Sequence, residues 1–298
     1  MSRLPDSGPD RGSPIDLRSA EAAIASLDRR AVRHDIALPR GGRMAWRRFG
    51  AGPPLVLIHG GHGSWLHWIR NIEALSAAHT LWIPDLPGYG DSDPIEPADI
   101  GEIVEAVVRS IDSLAGSGTA VDLCGFSFGG LVASRVAAGR GHVRKLATIG
   151  TAGHGLKSRY TLEMRNWRLA REPAALLSAL RNNLAALMIH DPSEIDALAL
   201  EVHRASCTAT RFRSKSISRA SLLAPILEGV DAPVLLVWGE HDVTTDPEAA
   251  ARSIAAGRAH ISWRIIPGAG HWAQYERAAD VNRLLLDWFK NGVVPRFP

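Results

Sequence analysis

Cysteine is scarce: Cys124 and Cys207 are the two in 298 residues. The first sits in an apolar, strand-like run and the second in the region read below as a lid. No disulfide framework is indicated, so a reducing, cytoplasmic compartment is the default. Long apolar runs are missing too. No stretch approaches the ~20 residues of a transmembrane helix. Met1 to Pro14 is rich in Pro, Gly, Asp and Arg, lacks an apolar signal region and reads as a disordered arm. A membrane is therefore not an expected partner. Nor does one sign of charge dominate. The 34 basic and 31 acidic residues are interspersed, net +3, and no long basic run carries interleaved aromatics, which argues against nucleic acid. The densest basic cluster, Arg211, Arg213 and Lys215, reads as a solvated face. A phosphate cradle is absent as well. The glycine-rich stretch His59-Gly60-Gly61-His62-Gly63-Ser64 lacks the Lys-Ser/Thr ending of a P-loop and does not match G-x-G-x-x-G. No metal or cofactor is expected.

What is present is an ordinary globular composition, 46% apolar and 22% charged, with ample length for one large core. Ile15 to Arg30 has helical spacing, with Ile24 and Leu27 on one face. Val32–Ala37 and Met44–Phe49 read as a hairpin around the turn Pro39-Arg40-Gly41-Gly42. Pro54–Ile58 and Leu81–Ile83 are continuous apolar strands of the kind buried on both faces of a parallel sheet. Helix 100–114, strand 121–124 and strand 145–149 follow. From 151 to 223 strand signals vanish and helical patterns appear around 162–169, 174–189 and 195–205. Strands return at 233–238 and 261–265, and a helix over 273–290 closes the pattern. Alternating strands and helices predict a mostly parallel sheet flanked by helices. The interruption reads as an inserted helical lid. The expected organisation is an arm and helix over 1–30, core over 31–150, lid over 151–223 and core again over 224–298.

The chemistry-bearing motif is Gly125-Phe126-Ser127-Phe128-Gly129-Gly130, between an apolar strand and a helix with small residues. A G-x-S-x-G turn in that context holds its serine in a strained conformation at the top of a sheet, and glycines flank it because a Cβ has no room. A serine hydroxyl is a poor nucleophile at pH 7. It needs a base, and the base needs a third group to hold its tautomer. Of twelve histidines, His271 has the right position: Gly268-Ala269-Gly270-His271-Trp272 directly follows the last predicted strand, whereas His260 precedes it. The acid belongs after the preceding strand, in Gly239-Glu240-His241-Asp242. Asp242 is the natural choice. Glu240 and Asp246 are rivals, and Asp246 before Pro247 has the character of a helix N-cap. The stretch 148–156 offers no carboxylate. Oxyanion donors are expected from the backbone N–H of Phe128 and, in the glycine-rich loop, of Gly61, with His62 next. His59 is expected to support that loop and His62 to touch substrate or face solvent. The loop Asp85-Leu86-Pro87-Gly88-Tyr89-Gly90-Asp91-Ser92 has no obvious reacting group, and its carboxylates read as structural.

Together, the HGG loop at 59–61, DLPGYGDSD at 85–93, GFSFGG at 125–130, GEHD at 239–242 and GHW at 270–272 resemble the α/β-hydrolase superfamily, in its serine-nucleophile branch. The run His271-Trp272-Ala273-Gln274-Tyr275-Glu276, with Asn282 and Trp68-Ile69-Arg70-Asn71, is most similar to the meta-cleavage-product hydrolases, which cut a C–C bond in ring-fission dienoates. That resemblance implies an α/β-hydrolase fold and no cofactor. It implies substrate contacts from Asn71 and Trp272, and a lid arginine for the substrate carboxylate: Arg204, with Arg211 and Arg213 as rivals. It also implies a homodimer. Phe126 stands where that family usually has Asn, and His62 where its pattern is Gly-Pro rich, two departures from the C–C hydrolase pattern; both residues are also candidate substrate contacts. The expected activity is serine hydrolysis of a small to medium carboxylic ester, or of the C–C bond of a vinylogous 1,5-diketone. A perhydrolase or lyase on the same scaffold and a non-catalytic ligand receptor are the alternatives. Trp65, Trp68 and Trp167 are candidates for the pocket or the core.

Overall fold

In the computed structural model, residues 16–292 and 294 are described; the predicted arm over 1–14 lies outside them. Helix α1 (Leu17–Arg29) is capped by the Asp16 carboxylate, which accepts from the N–H groups of Arg18 and Ser19. The hairpin β1 (Val32–Ala37) and β2 (Arg43–Phe49) pairs antiparallel, and β3 (Pro54–Ile58) follows. After the short helix α2 (Ile72–Ser76) comes β4 (Thr80–Pro84). The chain then alternates through α3 (Ile100–Ala115), β5 (Val121–Phe126), α4 (Phe128–Arg140) and β6 (Val143–Ile149).

Between Ile149 and Val234 the described chain forms no named strand, only an isolated bridge between His154 and Ser221. This insert carries α5 (Pro173–Asn183), α6 (Ala197–Thr208), α7 (Lys215–Arg219) and α8 (Leu223–Glu228). The helix expected around 162–169 is reduced to a 3-10 turn at Trp167–Leu169. Leu162, Met164 and Leu169 are exposed, so no packed face rewards a helix there. The pattern over 174–189 is helical, but it widens after α5 into a π-turn at Leu184–Met188. The core resumes with β7 (Val234–Gly239), α9 (Pro247–Ala255) and β8 (Ile261–Ile266). The expected closing helix is two, α10 (Ala273–Glu276) and α11 (Ala278–Asn291), broken at Arg277.

The eight strands lie in the order β1-β2-β4-β3-β5-β6-β7-β8, antiparallel through β1, β2 and β4 and parallel thereafter. This is the α/β-hydrolase fold. Alternate residues feed two apolar layers: along β3, Leu55 and Leu57 pack into one, and Val56 and Ile58 into the other. All of β5 and β7 is buried, as a strand covered on both faces requires. The chain runs from β3 to β4 on one side, then returns to β5 on the other. The loops after β3 and β5 therefore diverge and leave a crevice at their carboxyl ends, where open α/β sheets bind ligands.

Candidate active site

Ser127, between β5 and α4, has φ 52°, ψ −118°, a conformation an L-residue holds only under constraint. The constraint is visible. Its N–H donates to the Ile149 carbonyl at 2.8 Å, and its own carbonyl accepts from Gly130 at 2.9 Å and Ala152 at 3.0 Å. A Cβ on Gly125 would overlap the Gly129 carbonyl, and one on Gly129 would overlap the carbonyls of Ile58 and His59. The elbow can be this tight only with glycine at both places.

His271 follows β8 and brings Nε2 to 3.0 Å from the Ser127 hydroxyl; its Nδ1 lies 2.7 Å from Asp242 Oδ2. Residues 115 and 144 positions from Ser127 thus meet at one edge of the sheet. Asp242 is fully buried. Burial alone would push its carboxyl up, but the His271 ring and the Thr244 N–H and O–H, which donate to Oδ1 at 2.8 and 2.6 Å, hold it below the ordinary carboxylate range. The rivals do other things. Glu240 accepts the Gly268 N–H at 2.9 Å, and Asp246 N-caps α9 by accepting the Ala249 N–H at 3.0 Å.

The loop after β3 faces this array. His59 is fully buried: Nδ1 donates to the Gly60 carbonyl at 2.8 Å and Nε2 accepts the Leu86 N–H at 2.9 Å, so the ring is neutral and bridges two loops. Burial pushes its pKa down, as does that of His67, whose Nδ1 accepts the Gly60 N–H at 3.2 Å. With the Gly60 donor occupied, the N–H groups of Gly61 and Phe128 are left with no partner among the described residues. The loop Asp85–Ser92 braces the arrangement from below. Buried Asp85 accepts from Trp65 N–H at 2.8 Å, Asp91 N–H at 3.0 Å and Arg47 Nη1 at 3.1 Å.

Ser127, His271, Gly61, His62 and Phe128 line one cavity of about 320 Å³. Its apolar wall includes Leu156, Met164, Leu187 and Met188; Tyr160, Ser214, Lys215 and Arg219 also line it. Ser214 packs so close that a Cβ on Gly61 would lie 2.5 Å from its hydroxyl oxygen. Burial, with the charges of Arg168 and Lys215, lowers the pKa of His62, which sits at φ 53°.

The other expected substrate contacts lie elsewhere. Asn71 is buried and donates to Gln274 O and Asn282 Oδ1, both at 2.8 Å. Trp272 is buried, donates Nε1–H to the His67 carbonyl at 3.0 Å and stacks on Tyr275. Phe126 sits beneath the site, its ring 5.0 Å from that of His271. Arg204 chelates Glu201 at 2.6 and 2.7 Å, reaches Glu21 at 3.0 Å and edges a separate cleft with Leu17 and Leu176. Arg211 donates to the Gly90 and Ser92 carbonyls. These five residues are thus engaged in packing, hydrogen bonds or ion pairs and do not line the cavity. Trp65 and Trp68 are buried in the core, and Trp167 packs against it.

Three residues the sequence did not announce complete the site. Thr244 orients Asp242. Gly150, at φ 52°, leaves the space that His271 and Asp242 occupy: a Cβ there would lie 2.9 Å from His271 Nδ1 and 3.1 Å from Asp242 Oδ2. Glu276, on α10, is buried and accepts three backbone N–H groups, from Gly270 at 2.7 Å, Asp191 at 2.9 Å and His190 at 3.1 Å.

A family model for the alpha/beta hydrolase family matches residues 55–284, which span β3 to the middle of α11 and hold every residue of this array. The chain belongs to the alpha/beta hydrolase family. A 2-hydroxy-6-oxononadienedioate/2-hydroxy-6-oxononatrienedioate hydrolase of Cupriavidus pinatubonensis is 28% identical over 264 residues, covering 80% of this chain and 86% of that one. Among solved structures, an esterase from a Rhodococcus species superposes with a TM-score of 0.73 at 23% identity, covering 87% of this chain and 98% of its own. A meta-cleavage product hydrolase from Pseudomonas fluorescens does so at 0.68 and 21%, with the same coverage. At those identities the two structures speak for the fold of this hydrolase alone.

Proposed function

We propose that this hydrolase is a cofactor-independent serine esterase of small to medium carboxylic esters, with Ser127, His271 and Asp242 as its triad. One observation carries the reading: a hydroxyl, an imidazole and a buried carboxylate in series at 3.0 and 2.7 Å, opening on a cavity beside two unpartnered N–H groups. His271 Nε2 takes the Ser127 proton as Oγ attacks the ester carbonyl. The Nδ1–H stays hydrogen-bonded to Asp242, which stabilises the imidazolium. The N–H groups of Gly61 and Phe128 receive the oxyanion, at the N-terminus of α4 where the helix dipole adds to them. Imidazolium then protonates the departing alkoxide. A water, deprotonated by His271, attacks the acyl-enzyme and regenerates Ser127 with release of the acid. Residues 151–223 act as the lid between core segments 31–150 and 224–298, supplying the apolar wall for the acyl chain.

Cleavage of a C–C bond in a vinylogous diketone is the second reading. It draws on the printed activity of the 28% identical relative and on the run His271 to Glu276. It is the weaker of the two. Asn71, Trp272 and Arg204, which that chemistry would use on substrate, have their polar groups engaged away from the cavity.

p-Nitrophenyl esters of increasing acyl length, tested beside a 2-hydroxy-6-oxo dienoate, separate the two. Ester turnover is expected to peak at short to medium chains. Ser127→Ala is expected to lower it by roughly 10⁴-fold or more, and Asp242→Asn by roughly 10³–10⁴-fold. Dienoate turnover without ester turnover selects the second reading. Ester turnover that survives Ser127→Ala removes the triad.

A further inference from the structure

The chain is close to electroneutral, yet the two segments framing the cavity mouth are not. Residues 156–172 and 211–227 contain nine basic and two acidic residues between them, in a protein whose net charge is +3. Lys157, Arg171, Arg213, Lys215 and Arg219 make no ion pair among the described residues. The first segment also concentrates apolar exposure. Leu156, Tyr160, Leu162, Met164 and Leu169 are 42–76% exposed, and Val32 is the one other large apolar side chain so exposed among the described residues. Leu156, Tyr160 and Met164 line the cavity that holds Ser127. Apart from the 3-10 turn at Trp167–Leu169, residues 156–171 form an irregular rim in which basic and apolar side chains alternate.

Isolated exposed apolar side chains need no explanation, but five within residues 156–169, three of them lining a site mouth, mark an interaction surface. We propose that this rim is a docking surface for an anionic lipid bilayer, which seats the cavity mouth against esters held at the membrane face. Charge complementarity selects the occupant. Arginine and lysine heads meet lipid phosphates while neighbouring leucines enter the headgroup boundary, the pairing that interfacial segments use. Among the described residues, no helix is long and apolar enough to cross a membrane, so the contact is peripheral. Docking stands independently of the esterase reading; only its benefit to turnover rests on that reading.

The test is co-sedimentation of the full chain with phosphatidylcholine vesicles, with and without a share of phosphatidylglycerol. Binding is expected with the anionic vesicles only, and it should fall at least about threefold when salt is raised to several times physiological strength. Leu162→Asp with Leu169→Asp, and separately Arg165→Glu with Arg171→Glu, are expected to abolish it. Both pairs lie outside the cavity and are expected to leave turnover of a soluble short-chain ester unchanged, which also checks their folding. Absence of binding to anionic vesicles, or binding that neither pair weakens, overturns the proposal. So does a dimer by sedimentation velocity that both pairs dissociate without any vesicle binding, which assigns the rim to a second copy. An equal loss of turnover on vesicle-borne and soluble anionic esters overturns it too, because the cations then serve substrate and not a surface. An inactive protein that still binds the vesicles sinks the esterase reading and leaves docking standing.

Discussion

Gly150 shows how one missing side chain can set a reaction centre. Its backbone is left-handed, and the volume a methyl would fill belongs to the imidazole edge and the carboxylate oxygen of the proposed base and acid. Gly150→Ala would meet both costs at once: an unfavourable φ of order 1–3 kcal/mol, and displacement of His271 from Asp242. Because misplacement near 1 Å costs about 10²-fold in rate, kcat/KM for an ester is expected to drop by about that factor, with a lowered denaturation midpoint. Unchanged kinetics at full stability would show that the ring tolerates a neighbour there.

At the scale of elements, α10 is more than the start of a closing helix. Its Glu276 joins the turn carrying His271, through Gly270, to the insert at His190 and Asp191. Trp272 N–H donates to the Met188 carbonyl at 2.7 Å, so both neighbours of His271 are bonded to, or bridged to, the insert. Glu276→Gln replaces one carboxylate oxygen with an NH₂ group facing an N–H donor. It is expected to lower kcat by roughly 10–10²-fold with little change in KM, and Glu276→Asp is expected to recover part of the loss. A rise in KM alone would point to substrate binding instead. The clamp was not legible in the sequence, where Glu276 was one letter in a helical run. The sheet was, because its central strands β3, β4, β5 and β7 are dense apolar words and a parallel sheet demands alternation with helices. Ser127, His271 and Asp242 were legible for a related reason: each sits directly after a strand, in a loop whose glycines mark close approach. Asn71, Phe126, Trp272 and Arg204, expected at the substrate, lie outside the cavity lining, because residue type and motif neighbourhood do not tell a side chain that faces a cavity from one that packs behind it. The exposed stretch around 162–169 has helical spacing but nothing to pack on, which a pattern cannot reveal.

For the whole molecule, buried histidines are expected to lower stability on acidification. Burial lowers the pKa of His59 and His67, and it lowers that of His203 from 6.5 to about 4, with His62 nearby adding to the effect. The folded state then binds fewer protons than the unfolded chain below pH 6.5. Stability is therefore full above that value and declines as pH falls toward 4, by up to ~3 kcal/mol for His203 alone. Urea midpoints measured from pH 7.5 to 4.5 are expected to fall on acidification. His203→Asn is expected to flatten the slope even if it lowers the midpoint at neutral pH. A midpoint that holds steady across that interval would mean these rings are already solvated.

Glu276 also sets a condition on remodelling the specificity of this scaffold. Exchanging the stretch 151–223 for that of a relative changes the cavity wall, but it also removes the two amide hydrogens that the carboxylate grips. A transplanted cap must offer consecutive donors where 190 and 191 now lie. A chimera lacking them would lose rate through a slackened histidine turn, and the defect would look like poor substrate fit.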